Sequence, residues 1–356
     1  MKRPSSGSGI LLFSWMAACG LALPSPTAAD GKSLTVMQYL GERASRMSAK
    51  LPGIPDDRGA WELRRQVVRK QLAVRLGLPD RMPMRAKITK TREDDGLVVE
   101  DVMYLWADNA YVAANVVRPK EITGALPALV MPPGWLGDLQ QDFYRPFVYQ
   151  MAQRGYVILF IDDPHVRLRA APYQGLYCAA SAAGTQCMGI QVFDTLRGLD
   201  YLLTRSDVDP NRIGVAGLCQ GSEQTWLAAA LDDRFKIAAL GVVGAITVRD
   251  WAEKVAPHQN EFRFWAPYFH EITMHTDLQF VYSSIAPRPL LLVDGTYRNF
   301  WPESGYRRVS EMADLIFGLY AKPDALTKLP AKSDWGIEEV RQWLGATLKY
   351  KQPAAN

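Results

Sequence analysis

The sequence predicts an α/β protein: a mostly parallel central sheet with helices on both faces, preceded by a helical extension. Three observations predict it. Short, continuously apolar runs recur from about residue 97 onward; amphipathic stretches alternate with them; and two strand-like segments in tandem lead the series. Apolar runs without polar alternation belong to strands covered on both faces. Strands that alternate with helices belong to parallel crossover connections.

The elements follow in order. Residues 34–50 and 59–77 have helical spacing. In the second, Trp61, Val68, Leu72 and Leu76 share one face, which is core packing, and Gly77 with Pro79 supplies the stop. Leu97–Trp106 and Tyr111–Arg118 read as antiparallel strands joined by Ala-Asp-Asn-Ala. Further strands are expected at Ala128–Met131, Tyr156–Ile161, Arg212–Ala216, Ile237–Val243 and Pro289–Asp294. Helices are expected near 141–154, 190–204, 222–231 and 303–320, with Val192, Leu196, Leu199 and Leu203 on one face of the second. Sheets of this kind bind ligands at the carboxyl ends of their strands.

Composition narrows the class. The chain has 356 residues, 48% hydrophobic and 22% charged, which is globular. With 41 basic and 37 acidic residues it is too balanced to imply a nucleic-acid partner. It has no paired CxxC and no histidine cluster at ligand spacing, so no metal and no cofactor is expected.

The N-terminus opens Met1-Lys2-Arg3 and continues through an apolar run from Gly9 to Ala18. Residues 1–29 therefore read as a signal peptide, with Thr27-Ala28-Ala29 before a mature start at Asp30. Met16-Ala17-Ala18-Cys19 also fits lipoprotein processing, with lipid on Cys19. Either route exports the protein, periplasmic or secreted, and no later run is long enough to span a bilayer. Export permits disulfides. Cys178 and Cys187 bound a segment rich in Ala, Gly and Ser and are expected to pair, leaving Cys219 free. The expected layout is a helical extension over 30–95, the α/β domain over 96–350 with a cap-like insertion at 247–285, and a tail at 351–356.

The most informative segment is Gly217-Leu-Cys219-Gln-Gly221, between an expected strand and an expected helix. This is the nucleophile-elbow pattern with Cys in place of Ser. Its turn is tight enough to require glycine two residues before and two after the nucleophile. The Gln220 amide is expected to be one oxyanion donor. The Trp135 amide, in Pro132-Pro-Gly-Trp-Leu-Gly137, is expected to be the second. The helix N-terminus is expected to lower the pKa of Cys219.

Several stretches carry a family resemblance: Trp61-Glu-Leu-Arg-Arg, the run from Asp194 to Val215, the elbow with Gln224–Arg234, and Ile285-Ala-Pro-Arg-Pro-Leu-Leu-Leu-Val-Asp-Gly. Over roughly 58–350 the chain resembles bacterial α/β-hydrolases of the acetyl xylan esterase and dienelactone hydrolase type. The cysteine resembles the latter. The resemblance implies an α/β-hydrolase fold and hydrolysis of a carboxylic ester, thioester or lactone, with a small-molecule or carbohydrate ester as substrate. It also implies a nucleophile, an acid and a histidine in that chain order. The acid slot matches Arg298 and the histidine slot matches Ser333. A relocated base is therefore expected, His165 or His275 first, with His258 and His270 also in the insertion; Asp294 is the displaced acid. The alternative is a catalytically degenerate hydrolase that binds a ligand or partner.

Overall fold

The computed structural model of the protein describes residues 36–51, 53–107, 110–134, 137–167, 169–243, 250, 276–294 and 303–348. Among the described residues nine strands are present: β1 (Ala86–Asp94), β2 (Leu97–Ala107), β3 (Ala110–Pro119), β4 (Leu126–Met131), β5 (Val157–Ile161), β6 (Val208–Gly217), β7 (Ile237–Val243), β8 (Leu290–Asp294) and β9 (Leu326–Pro330). They form one sheet in the order β1-β2-β3-β5-β4-β6-β7-β8-β9. The pairs from β1 to β5 are antiparallel. Every pair from β5–β4 to β8–β9 is parallel.

The helices are α1 (Val36–Ser48), α2 (Arg58–Leu76), α3 (Arg145–Gln153), α4 (Tyr173–Ala182), α5 (Cys187–Leu202), α6 (Gln220–Leu231), α7 (Leu278–Ser283), α8 (Glu303–Leu319) and α9 (Ile337–Thr347). They cover both faces. Val130, Leu159, Val215, Leu240 and Leu292 pack with α2, α5, α6, α7 and α8. Their strand neighbours Leu129, Ile158, Ala216, Ala239 and Leu291 pack with α3 and α9. Alternate residues thus serve opposite cores, as the pleat requires. This is why the parallel strands read as continuous apolar runs.

The N-terminal helices belong to this architecture. Asp57 caps α2 by accepting from the Ala60 amide at 2.8 Å. Gly77 ends the helix at φ 61°, and a methyl group there would lie 2.4 Å from the Gly184 carbonyl. Trp61, Val68, Leu72 and Leu76 are all buried.

Three expectations are corrected. Residues 86–94, placed in the helical extension, form the edge strand β1; its residues Ala86–Arg92 alternate no apolar face, because most of its side chains are exposed. Strand β9 was not expected either: it is short, and none of its side chains is fully buried. Helix α4 continues through Ala182, half-way from Cys178 to Cys187, and the expected disulfide is not formed. The reason is geometric: Cys178 is exposed on α4, whereas Cys187 is buried at the start of α5. A hydrogen bond from Tyr177 reaches the Cys187 thiol, and burial pushes that thiol up to about 12.

Candidate active site

The elbow is built by the meeting of β6 and α6. The strand ends at Gly217 and the helix begins at Gln220, so Leu218 and Cys219 make the whole turn. Cys219 is forced to φ 55°, ψ −129°, a conformation costly for a residue with a side chain. Packing holds it there. A methyl group on Gly217 would lie 2.1 Å from the Gly221 carbonyl oxygen, and one on Gly221 would lie 2.5 Å from that of Pro132. The Ser222 hydroxyl lies 2.8 Å from the Gly217 carbonyl and 2.6 Å from the Gly241 carbonyl, bridging the ends of β6 and β7.

The loop after β4 lies directly against the elbow. The Gln224 side-chain amide donates to the Pro133 carbonyl at 2.8 Å. A methyl group on Gly134 would touch Cys219 Cβ at 3.6 Å. The Gly134 amide donates to the Tyr144 hydroxyl at 2.7 Å. The Gln220 amide hydrogen-bonds the Cys219 sulfur. A strained cysteine, a helix amide on its sulfur and a glycine loop beside it are the parts that a candidate acyl-transfer site needs.

The comparisons with known proteins agree with this geometry. Residues 112–255, from β3 through the elbow and beyond β7, match the model of the dienelactone hydrolase family. The chain has the α/β-hydrolase fold, and its middle part resembles the dienelactone hydrolase family. It is similar to YtaP of Bacillus subtilis, provisionally named a hydrolase, with 26% identity over 271 residues; the match covers 70% of this chain and 86% of that protein. Among solved structures it superposes on a provisionally assigned acetyl xylan esterase from Bacteroides fragilis, with TM-score 0.70, 16% identity and coverage of 86% and 84% of the two chains. It also superposes on a glucuronoyl esterase from Solibacter usitatus, with TM-score 0.63, 16% identity and coverage of 84% and 99%.

The electrostatics of this elbow run opposite to the sequence expectation. Burial, reinforced by the charge of Glu223, pushes the Cys219 thiol up to about 12, and the Gln220 amide offsets only part of that. Desolvation outweighs the helix N-terminus, so the resting group is a thiol. Glu223 was missed in the sequence. It sits one helical turn after Cys219, 5% exposed. Its Oε2 has no hydrogen-bond partner among the described residues, and burial holds the carboxyl well above its usual range. Tyr282 of α7 shares this buried pocket; burial and the Glu223 charge raise its phenol.

Ser333, expected in the histidine slot, has a structural role. The Ser333 hydroxyl donates to Glu339 Oε2 at 2.5 Å and accepts from the Glu338 amide at 3.1 Å, while the Lys332 amide donates to Glu339 Oε1 at 2.9 Å. This is a reciprocal cap on α9. The loop itself still abuts the site: a methyl group on Gly241 would lie 2.7 Å from the Trp335 carbonyl oxygen. Arg298, the acid-slot residue, lies outside the described residues.

His165 lies in the loop after β5, two strands from β6 in the sheet order. Its Nδ1 is 2.9 Å from the Ala171 carbonyl, its amide donates to Asp163 Oδ1 at 2.9 Å, and its ring stacks on Tyr177. The structure thus gives His165 partners in its own loop. Asp294 ends β8 half-buried; burial first, and then the charge of Asp294, raises the phenol of Tyr306 on α8. Asp250 is buried against Ser304 and Arg308, which it binds at 2.8 and 3.0 Å. Trp135, His258, His270 and His275 lie outside the described residues. Among the described residues no group of three His, Cys, Asp or Glu side chains could hold a metal ion, and no helix is long and apolar enough to cross a membrane.

Proposed function

We propose that this protein is an exported carboxylic-ester hydrolase whose nucleophile is Cys219 and whose oxyanion donors include the Gln220 amide. The observation that carries this reading is the strained Cys219 backbone at a β6–α6 elbow, with a helix amide on its sulfur. The similar solved structures are named for esters of carbohydrates. A carbohydrate or small-molecule ester is accordingly the proposed substrate.

In this reading the thiol proton passes to the Glu223 carboxylate as Sγ bonds to the carbonyl carbon, and the carbonyl π pair moves onto oxygen. Collapse breaks the ester C–O bond, and the leaving alkoxide takes that proton from Glu223. Water then attacks the thioester with Glu223 again as base, and the thiol is restored. A carboxylate of ordinary basicity accepts a thiol proton poorly. Burial makes the ionised fraction of Glu223 a stronger acceptor, and its charge acts on the Cys219 thiol.

One observation favours a second reading, a silent hydrolase that only binds a ligand. Ser333 fills the family's histidine slot and is committed to Glu339. Hydrolysis of short acyl, aryl and lactone esters by the mature chain, beside Cys219→Ala and Cys219→Ser, decides between the two. Turnover abolished by Cys219→Ala supports the enzyme. Background rates in all three proteins support the silent binder. Cell fractionation tests the export that residues 1–29 imply, and mass spectrometry of the mature N-terminus separates cleavage before Asp30 from lipidation at Cys19.

A further inference from the structure

We propose that the hydroxyl of Tyr144 is a side-chain oxyanion donor in this site, acting beside the Gln220 amide. The inference rests on the ester-hydrolase reading and adds a residue that the elbow pattern does not contain.

The geometry starts at Gly134. A methyl group on that residue would lie 2.3 Å from the Tyr144 hydroxyl oxygen and 3.6 Å from Cys219 Cβ. The phenol and the nucleophile therefore face one another across a single glycine. The Gly134 amide points to the phenol oxygen, at 2.7 Å. In the resting site that amide is engaged by the phenol oxygen. It polarises the hydroxyl, which becomes the better donor for it.

The hydroxyl proton is available. Tyr144 is 4% exposed, and among the described residues no acceptor takes its proton. A buried hydroxyl that accepts but does not donate has unspent capacity. Its proton also stays on at working pH: burial, then the charges of Cys219 and Asp163, raise the phenol well above its ordinary value, although the Gly134 amide opposes this.

The ring is fixed, as a preorganised donor requires. Phe143 and Phe160 lie at 5.0 Å between ring centroids on its flanks. A methyl group on Gly137 would come within 3.0 Å of its Cε2. Tyr144 immediately precedes α3, so its backbone is held by the helix start. The group waits in place where negative charge develops when Sγ adds to a carbonyl.

The test is Tyr144→Phe in the mature protein, with p-nitrophenyl acetate hydrolysis and iodoacetamide alkylation of Cys219 as paired readouts. Alkylation uses the same sulfur but forms no oxyanion. The expected result is a kcat lower by about 10²–10³-fold, the range for loss of one oxyanion donor, with KM within about twofold and an unchanged alkylation rate. An unchanged kcat overturns the proposal. So does a parallel fall of kcat and alkylation, which would mean that Tyr144 merely positions the thiol. A wild type without Cys219-dependent turnover removes the reaction and the role together, an outcome distinct from an active wild type matched by Tyr144→Phe.

Discussion

The side-chain amide of Gln224 donates to the Pro133 carbonyl at 2.8 Å, so the helix after the nucleophile grips the loop after β4. Both groups are buried. Gln224→Leu leaves the Pro133 oxygen without its donor, which costs ~1–3 kcal/mol for a buried polar group. Denaturant unfolding is expected to show that loss. Ester turnover is expected to fall as well, because Gly134 is held by the same loop.

Gly221→Ala is expected to damage the fold locally. Its methyl group would meet the Pro132 carbonyl at 2.5 Å, with the Pro133 backbone at 3.1 Å behind it. Overpacking of this kind costs ~1–3 kcal/mol. Thermal unfolding measures it. A midpoint equal to that of wild type would contradict the close approach.

Alkylation of Cys219 is expected to be slow at neutral pH and to rise through the alkaline range, because its thiol is pushed up to about 12. Glu223 is one of the causes. Glu223→Gln removes the negative charge, so the alkylation profile is expected to shift to lower pH. The pH dependence of iodoacetamide labelling reads this directly.

The same substitution has an opposite-looking effect on stability. Glu223 is raised in the folded state by burial. A raised carboxyl contributes its full stability below its unfolded value of about 4.3, and that contribution is lost as pH rises through the folded value. Glu223→Gln does not ionise. The variant is therefore expected to gain thermal midpoint relative to wild type as pH rises from 5 to 9, with the smallest difference at the acid end.

Cys178 and Cys187 are expected to differ in accessibility. Cys178 is exposed, so a maleimide reagent labels it in the native protein without prior reduction. Cys187 is buried and is expected to react only after unfolding. A native protein in which neither reacts before reduction, and both do afterwards, would restore the disulfide.

Much of this molecule was legible in the chain because burial on both faces leaves a strong mark. Leu129, Val130 and Met131 serve two cores at once and read plainly as a central strand. The edge strand β1 left no such mark, since most of its side chains face solvent. The elbow was legible through Gly217 and Gly221, whose absent side chains are a local requirement. Glu223 and Tyr144 were not. A carboxyl becomes unusual only through what surrounds it, and a tyrosine ten residues after Gly134 becomes part of the site only by folding back. The sign of the shift at Cys219 was missed for a related reason: helix position can be read from sequence, but desolvation cannot.

Three glycines surround Cys219 so closely that none has room for a carbon atom: Gly217 against Gly221, Gly221 against Pro132, and Gly241 against Trp335. This part of the chain is closed to evolution by backbone change. What stays open is substitution at the centre. Cysteine and serine differ by one atom at the side chain, and the glycines that shape the turn are the same for both. A lineage could therefore exchange sulfur for oxygen in a single step and alter its leaving-group chemistry without refolding.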